Sequence, residues 1–153
     1  MTDDSRIPRS ALLLGLAGLI PFLWSAATQL SPALAGWASQ WLPPMFIGVY
    51  VGLTYGTVIL AFMSGALWGF EAKAEGGEAA MAYALSVIPA LWVFFMVTDA
   101  SANSIIYLAA GFVGLLLLDG TFAALGLAPR WWMRLRIMLT IVVLGCLAVP
   151  LQA

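Results

Sequence analysis

Five apolar stretches, each long enough to cross a bilayer, account for most of this chain. They run over residues 11–30, 45–70, 79–97, 105–127 and 132–151. A membrane-spanning helix needs about 20 apolar residues, so these stretches fill almost the whole length. The sequence therefore predicts an all-α membrane protein, with residues 1–153 forming a single transmembrane domain built as a bundle of five helices.

The composition excludes most other classes of protein. Of the 153 residues, 63% are hydrophobic and 8% are charged, whereas a soluble domain has about 25% charged residues. The net charge of −1 indicates no nucleic-acid partner. The chain has no histidine, and Cys146 is its one cysteine, which rules out an intrachain disulfide and multi-cysteine metal sites. We therefore expect no metal, no cofactor and no enzymatic activity.

The first apolar stretch has one feature of a signal peptide, because Ala33-Leu34-Ala35 offers a small-x-small cleavage pattern. Its apolar run of about 18 residues exceeds the roughly 7–15 of a signal sequence, which favours an uncleaved anchor. Pro21 is expected to kink this span. After it, Trp37 and Trp41 lie at helical spacing and predict a short helix at the membrane interface.

The cations are distributed asymmetrically. With five spans, the N-terminal segment and the second and fourth loops share one side of the membrane. All six Lys and Arg residues fall on that side: Arg6, Arg9, Lys73, Arg130, Arg134 and Arg136. Cytoplasmic loops carry the excess of Lys and Arg, so this pattern predicts a cytoplasmic N-terminus and a C-terminus on the outside.

Asp119 is the one ionisable residue well inside a predicted span. A charged side chain near the bilayer centre costs about 2.5–3.5 kcal/mol on insertion scales, so it needs a partner, a cavity or a proton. Asp119 lies nine residues before Ala128 and Arg136 lies eight after it. A hairpin that folds at Gly126-Leu127-Ala128-Pro129 therefore makes Arg136 the expected partner, with Arg134 the second choice.

Side-chain direction complicates this pairing. Side chains lean toward the N-terminus of their helix, which tilts the two groups apart and leaves room for a water bridge. Ser64, Thr57 and the Trp68 indole are the alternative partners for the carboxylate. Three roles stay open for Asp119: a structural ion pair, a ligand-binding carboxylate and a proton-relay group.

The second span carries glycines at helical spacing. Gly48, Gly52 and Gly56 are four residues apart, and Gly65 and Gly69 repeat that spacing. Small residues on one face let helices approach closely in lipid. These five glycines are interpreted as a helix-packing face, used either within the bundle or in a homodimer.

Three stretches resemble one family. They are LGLAGLIPF from Leu14, YGTVILAFMSGALWG from Tyr55, and Asp119 followed by APRWWMRLRIMLT from Ala128. Together they are similar to the domain of unknown function 3429 family (transmembrane protein 69-like). The resemblance implies five spans over nearly the whole chain and residence in the bacterial inner membrane. Relatives often carry a histidine where this chain has Leu67, so a role that depends on that histidine does not transfer.

A second, shorter stretch, WLPPMFIGVYVGLTYG from Trp41, resembles the entry to the second helix of the tryptophan-rich sensory (translocator) proteins. Those proteins also have five spans, and they bind porphyrins and sterols inside the bundle. The resemblance implies a ligand-binding bundle, and in a protein of that kind we expect Asp119 and Arg136 to hold the polar end of the ligand.

Two functional hypotheses follow. The first is a non-enzymatic inner-membrane accessory or assembly factor, whose partner is another membrane protein or a second copy of the chain. The second is a binder or carrier of a small hydrophobic or anionic ligand such as a lipid. A transporter ranks third, because five spans cannot form two equal inverted repeats.

Overall fold

The described part of the chain contains helices and no strands. The computed structural model describes residues 6–71 and 77–152. In order, the α-helices are α1 Arg9–Ala17, α2 Ile20–Leu30, α3 Pro32–Ala38, α4 Val49–Glu71, α5 Gly77–Met96, α6 Ala102–Ala124 and α7 Trp132–Ala148. Short 3₁₀ turns cover Pro44–Phe46 and Val149–Leu151.

Four segments of this structure are long and apolar enough to cross a membrane. They are Arg9–Leu30, Val49–Glu71, Ala102–Ala124 and Trp132–Leu151, and Ala80–Met96 is a shorter apolar helix. Long side chains cover the outside of the bundle with apolar surface, among them Leu13, Phe62, Phe94 and Leu117, each more than 60% exposed. The predicted all-α membrane class is confirmed, while the count of five spans and the side of each terminus stay predictions.

The first crossing is broken at Gly18. α1 ends at Ala17 and α2 begins at Ile20, with Pro21 in its first turn. Proline has no N–H to donate, so the Ala17 carbonyl, four residues before Pro21, has no continuing helical partner. The regular α-helix is therefore interrupted at Gly18 and Leu19, on the N-terminal side of Pro21, while the kink expected there stays a prediction.

Several element boundaries differ from the predicted ones. α4 begins at Val49 and not at Met45, because Pro44–Phe46 form a 3₁₀ turn and Gly48 has a φ of +62°. α6 begins at Ala102, since the Ser101 hydroxyl accepts a hydrogen bond from the Ser104 N–H and caps the helix. The sequence pattern predicts a hydrophilic loop over residues 71–78, but Glu71 belongs to α4 and α5 begins at Gly77. Residues 72–76 lie outside the described part of the chain.

α4 lies at the centre of the bundle. It packs against α2, α5 and α6, while α7 packs against α6, α2 and α1. The core between these helices contains the largest fully buried side chains, including Phe22, Leu60, Leu108, Phe112 and Phe122. The first and last crossings therefore meet beside the core.

The glycines of α4 divide into two groups. A Cβ at Gly52 would lie 2.6 Å from the Ser25 Oγ, and one at Gly56 would lie 2.6 Å from Leu108 Cδ2, so these two glycines allow close packing inside the bundle. At Gly65 and Gly69 an added Cβ would meet no atom of another residue within 4 Å, so these two glycines face outward. Gly48 does not belong to the helix-packing face, because it precedes α4 in a left-handed conformation.

Candidate functional site: a buried ion pair beside an apolar groove

The turn between α6 and α7 is a helix-stopping motif that fixes how the two helices meet. Gly126 has a φ of +73°, which suits glycine at the end of a helix. The Leu127 N–H donates to the Phe122 carbonyl, and the Gly126 N–H donates to the Ala123 carbonyl. This pair of bonds is a Schellman motif, and it ends α6 sharply enough for α7 to begin at Trp132.

This turn brings Asp119 and Arg136 to the same depth. Asp119 lies five residues before the end of α6, and Arg136 lies four after the start of α7. At a rise of 1.5 Å per residue, each is about 6–8 Å from its end of the hairpin. The structure therefore brings together Asp119 and Arg136, which the sequence analysis predicted to be partners from their distances to the turn.

Both oxygens of the Asp119 carboxylate have a hydrogen-bond partner. Its Oδ2 accepts a hydrogen bond of 2.7 Å from Arg136 Nε, and its Oδ1 accepts one of 2.7 Å from the Trp132 indole Nε1. Trp132 and Arg136 are four residues apart on α7 and thus share one face. The Asp119 side chain is 0% exposed and that of Arg136 is 5% exposed. A buried charge in this setting depends on its partners, and Asp119 has two.

The Trp132 ring also connects this site to α4. Its centroid lies 4.9 Å from that of Phe70, with the planes at 87°, an edge-to-face arrangement. The residues predicted from the sequence for this site did not include Trp132. Its position one turn before Arg136 on the same helical face was the signal that could have identified it.

The other predicted members of the polar site lie elsewhere. Ser64 is buried and donates to the Ser86 carbonyl on α5. Trp68 is half-exposed and packs against Tyr83 with a centroid distance of 4.8 Å. Arg134 is exposed. Thr57 lines a separate surface pocket that Asp99 of the α5–α6 turn also lines.

Glu71 is a buried carboxylate, although the sequence pattern placed it in a loop. Its side chain is 0% exposed, and neither Oε1 nor Oε2 has a hydrogen-bond partner among the described residues. Leu60, Ser64, Leu67 and Glu71 recur at helical spacing on one buried face of α4. Continuing this pattern of buried positions by one helical turn beyond Leu67 could have identified Glu71 from the sequence.

An apolar groove of about 460 Å³ lies beside the ion pair. Five helices form its walls, with Gly15 from α1, Phe22 from α2, Ala66 from α4, Phe112 from α6 and Leu139 from α7. Arg136 and Thr140 also line it, and both are buried. We call this space the α1–α7 groove.

Two polar side chains beside the α1–α7 groove keep hydrogen-bonding capacity, and both can donate. Arg136 Nη2 and Thr140 Oγ1 are buried and have no hydrogen-bond partner in the described ranges. A guanidinium has five N–H donors, and the Asp119 interaction uses the Nε. Since buried polar groups are usually paired, these two atoms indicate a place that can receive a further acceptor.

The fold and this site define a small, all-α, multi-pass protein of the lipid bilayer with a buried ion pair between its last two helices. Within that class, the chain belongs to the family described as protein of unknown function (DUF3429), whose model matches residues 7–152. The family expected from the sequence motifs is therefore confirmed.

Two curated relatives share the name transmembrane protein 69. The one from Xenopus tropicalis is 33% identical over 140 residues, covering 88% of this chain and 51% of the relative. The one from Mus musculus is 30% identical over 139 residues, covering 88% of this chain and 52% of the relative. The chain thus spans about half the length of these relatives. No solved structure matches, so the similarity to translocator proteins rests on its sixteen residues alone.

Proposed function

We propose that this chain is a non-enzymatic accessory protein of the membrane that binds an amphiphilic membrane component in the α1–α7 groove. One observation carries the proposal. An apolar cavity of about 460 Å³ borders a buried arginine and a buried threonine whose side chains keep unpartnered donors. An apolar wall with a small number of polar groups is typical of ligand sites.

The groove suits a ligand that arrives from the bilayer. Its volume lies within the roughly 300–1,000 Å³ range of small-molecule sites. Leu14 and Phe62, which line it, are 75% and 69% exposed, so its flank faces the surroundings of the bundle. A lipid-like molecule can therefore enter sideways without crossing water.

The residues around the groove argue against catalysis. Nucleophilic and general-base catalysis needs a reactive group beside a base that activates it. The carboxylate here accepts from Trp132 and Arg136, and the chain has no histidine. Thr140 has no hydrogen bond to a base among the described residues, which leaves binding as the chemistry that the site supports.

The proposed location is the bacterial inner membrane, with the N-terminus in the cytoplasm. The support is the placement of the six cations in segments that share one side if the chain crosses five times. In that orientation Arg136 lies about one helical turn in from the cytoplasmic end of α7. The polar end of a bound amphiphile would then lie near the inner leaflet's headgroups and its apolar part would extend inward.

Native mass spectrometry of the full chain, extracted in mild detergent, tests the proposal. We expect a retained amphiphile that is lost when Ala66→Phe fills the groove from α4. Ala61→Phe is the matched control, because Ala61 is exposed on the same helix and does not line the groove. Equal retention of amphiphile by the wild type and both variants, or retention by none, contradicts the proposal.

The assembly-factor hypothesis is tested by the same preparation. Its support is indirect and consists of short connections and the lack of a catalytic set of residues in the described part of the chain. A defined protein partner that stays bound to both Ala66→Phe and Ala61→Phe would favour assembly through another surface. A partner lost only with Ala66→Phe would mean that the groove itself takes part in the association.

A further inference from the structure

We infer that the ligand of the α1–α7 groove is an uncharged lipid of the prenylquinone type, a conjugated ring with carbonyl oxygens carried on an apolar tail. This inference rests on the proposed function, and it names the chemical class of the ligand. Three properties of the groove lead to it: its charge balance, its two unpartnered groups that can donate, and its aromatic end.

The charge of the site is already balanced. Asp119 and Arg136 form a pair in which one negative and one positive charge lie 2.7 Å apart, almost entirely buried. A carboxylate or phosphate in the groove would add a second negative charge, and burying an unpaired charge is costly. The other arginines in the described part of the chain are exposed: Arg6, Arg9, Arg130 and Arg134. An uncharged polar end therefore fits better than an anionic one.

Two groups beside the groove have hydrogen bonds still to make. Both Asp119 oxygens already accept a bond, from Trp132 and from Arg136. Of the unpartnered atoms, Arg136 Nη2 only donates, while the Thr140 hydroxyl can donate or accept. A ligand carbonyl oxygen, which only accepts, can bond to either group. A ligand with two such acceptors can therefore satisfy both.

The groove has an aromatic end where these donors lie. Trp131 and Trp132 line it near Arg136, and apolar side chains such as Leu139 and Val143 continue along α7. Flat conjugated rings pack well against indoles. Arg136 and Thr140 are one helical turn apart on one face of α7, about 6 Å along the axis. Carbonyls on opposite edges of one ring can therefore meet both donors, with the tail along the apolar wall.

Binding includes a local adjustment. Neighbouring side chains cover Arg136 Nη2 and Thr140 Oγ1. The ligand must therefore displace the atoms that cover these two donors. The Arg136 Nε retains its bond to Asp119.

Equilibrium binding to the full chain in detergent micelles tests the inference with three probes. Decylubiquinone supplies acceptors alone, oleate supplies a charge, and dioleoylglycerol supplies a hydroxyl donor. We expect decylubiquinone to bind most tightly. Thr140→Val keeps the side-chain shape and removes the donor, and it should weaken decylubiquinone binding about three- to tenfold.

The control variant is Thr121→Val, since the Thr121 hydroxyl donates to the Leu117 carbonyl on the exposed side of α6. It should leave binding unchanged, and thermal unfolding will show that each variant is folded. Tighter binding of oleate or dioleoylglycerol, or unchanged decylubiquinone binding by Thr140→Val, overturns the quinone inference and leaves the groove proposal intact. Failure of Ala66→Phe to weaken any probe overturns both.

Discussion

Asp119 and Arg136 are seventeen residues apart in the chain and yet are joined by a direct hydrogen bond of 2.7 Å between Oδ2 and Nε. The sequence alone left open a water bridge, because the two side chains lean in opposite directions along the membrane normal. The long arginine side chain spans that offset. The pair is therefore a direct contact, and its energetics can be tested by removing one partner or both.

We expect Asp119→Asn to lower the free energy of unfolding by about 3–5 kcal/mol, because it leaves the Arg136 charge buried without a counter-ion. The double variant Asp119→Asn/Arg136→Leu should recover part of that loss, since it removes both charges. Thermal unfolding in detergent measures both values. Losses that simply add in the double variant would contradict direct pairing.

Trp132→Phe tests the second partner of the carboxylate. It removes the indole N–H that binds Asp119 Oδ1 and keeps a ring against Phe70. The expected loss is about 1–3 kcal/mol, the cost of leaving a buried acceptor of a charged group short of one bond. Trp131→Phe is the control, because it makes the same change of ring on the neighbouring residue and leaves the bond to Asp119 in place. Equal losses from the two variants would mean that packing and not the hydrogen bond is responsible.

The two groups of glycines in α4 should respond in opposite ways to the same change. Gly56→Ala places a Cβ 2.6 Å from Leu108 Cδ2 and should destabilise the bundle by about 1–3 kcal/mol. Gly65→Ala has open space around the new atom and should stabilise the helix by about 0.5–1 kcal/mol. A loss of self-association with Gly65→Ala, measured by sedimentation in detergent, would instead place a second copy of the chain against that face.

The α5–α6 turn should confer a pH dependence through Asp99. Hydrogen bonds from the Ser101 and Ser104 hydroxyls and the Ser101 N–H lower the pKa of Asp99 from its ordinary value of 3.8. A carboxyl with a lower pKa in the folded state stabilises the fold above the unfolded-state value, and this contribution disappears as the pH falls through the folded-state pKa. Thermal stability should therefore fall below about pH 4.

The Asp99→Asn variant tests whether Asp99 causes the loss of thermal stability at low pH. The variant keeps a side-chain oxygen beside the serines and cannot titrate, so its melting temperature should change less with pH between about 5 and 2.5. Because the Asp99 carboxyl is exposed, the difference from the wild type should be small. An equal dependence in both proteins would assign the fall to other carboxyls.

The hairpin was predictable from the sequence because its geometry is local. Gly126 and Pro129 fix the position of the turn. The distances of Asp119 and Arg136 from that turn along their helices then place the two residues at the same depth in the bundle. Trp132 was missed because pairing opposite charges does not consider a neutral donor on the same helical face. In this class of protein, a tryptophan one helical turn from an arginine should be considered as a second hydrogen-bond donor to a buried carboxylate.

Other features depended on contacts between distant segments. The groove lies between α1 and α7, which are far apart in the sequence and pack against each other in the bundle. No spacing rule predicts how closely two apolar helices approach. Glu71 was assigned to a loop because charged residues follow it, although its buried position continues the inner face of α4. The polar alternatives Ser64 and Trp68 instead face α5, a choice set by helix rotation within the bundle.

The position of both Asp119 partners on α7 has a consequence for how the protein enters its membrane. While the chain is being synthesised, α6 is complete before Trp132 and Arg136 exist, and a lone carboxylate within it disfavours insertion by about 2.5–3.5 kcal/mol. The two helices are therefore expected to enter the lipid together as a hairpin. The α1–α7 groove closes later still, when the last helix to be made packs against the first.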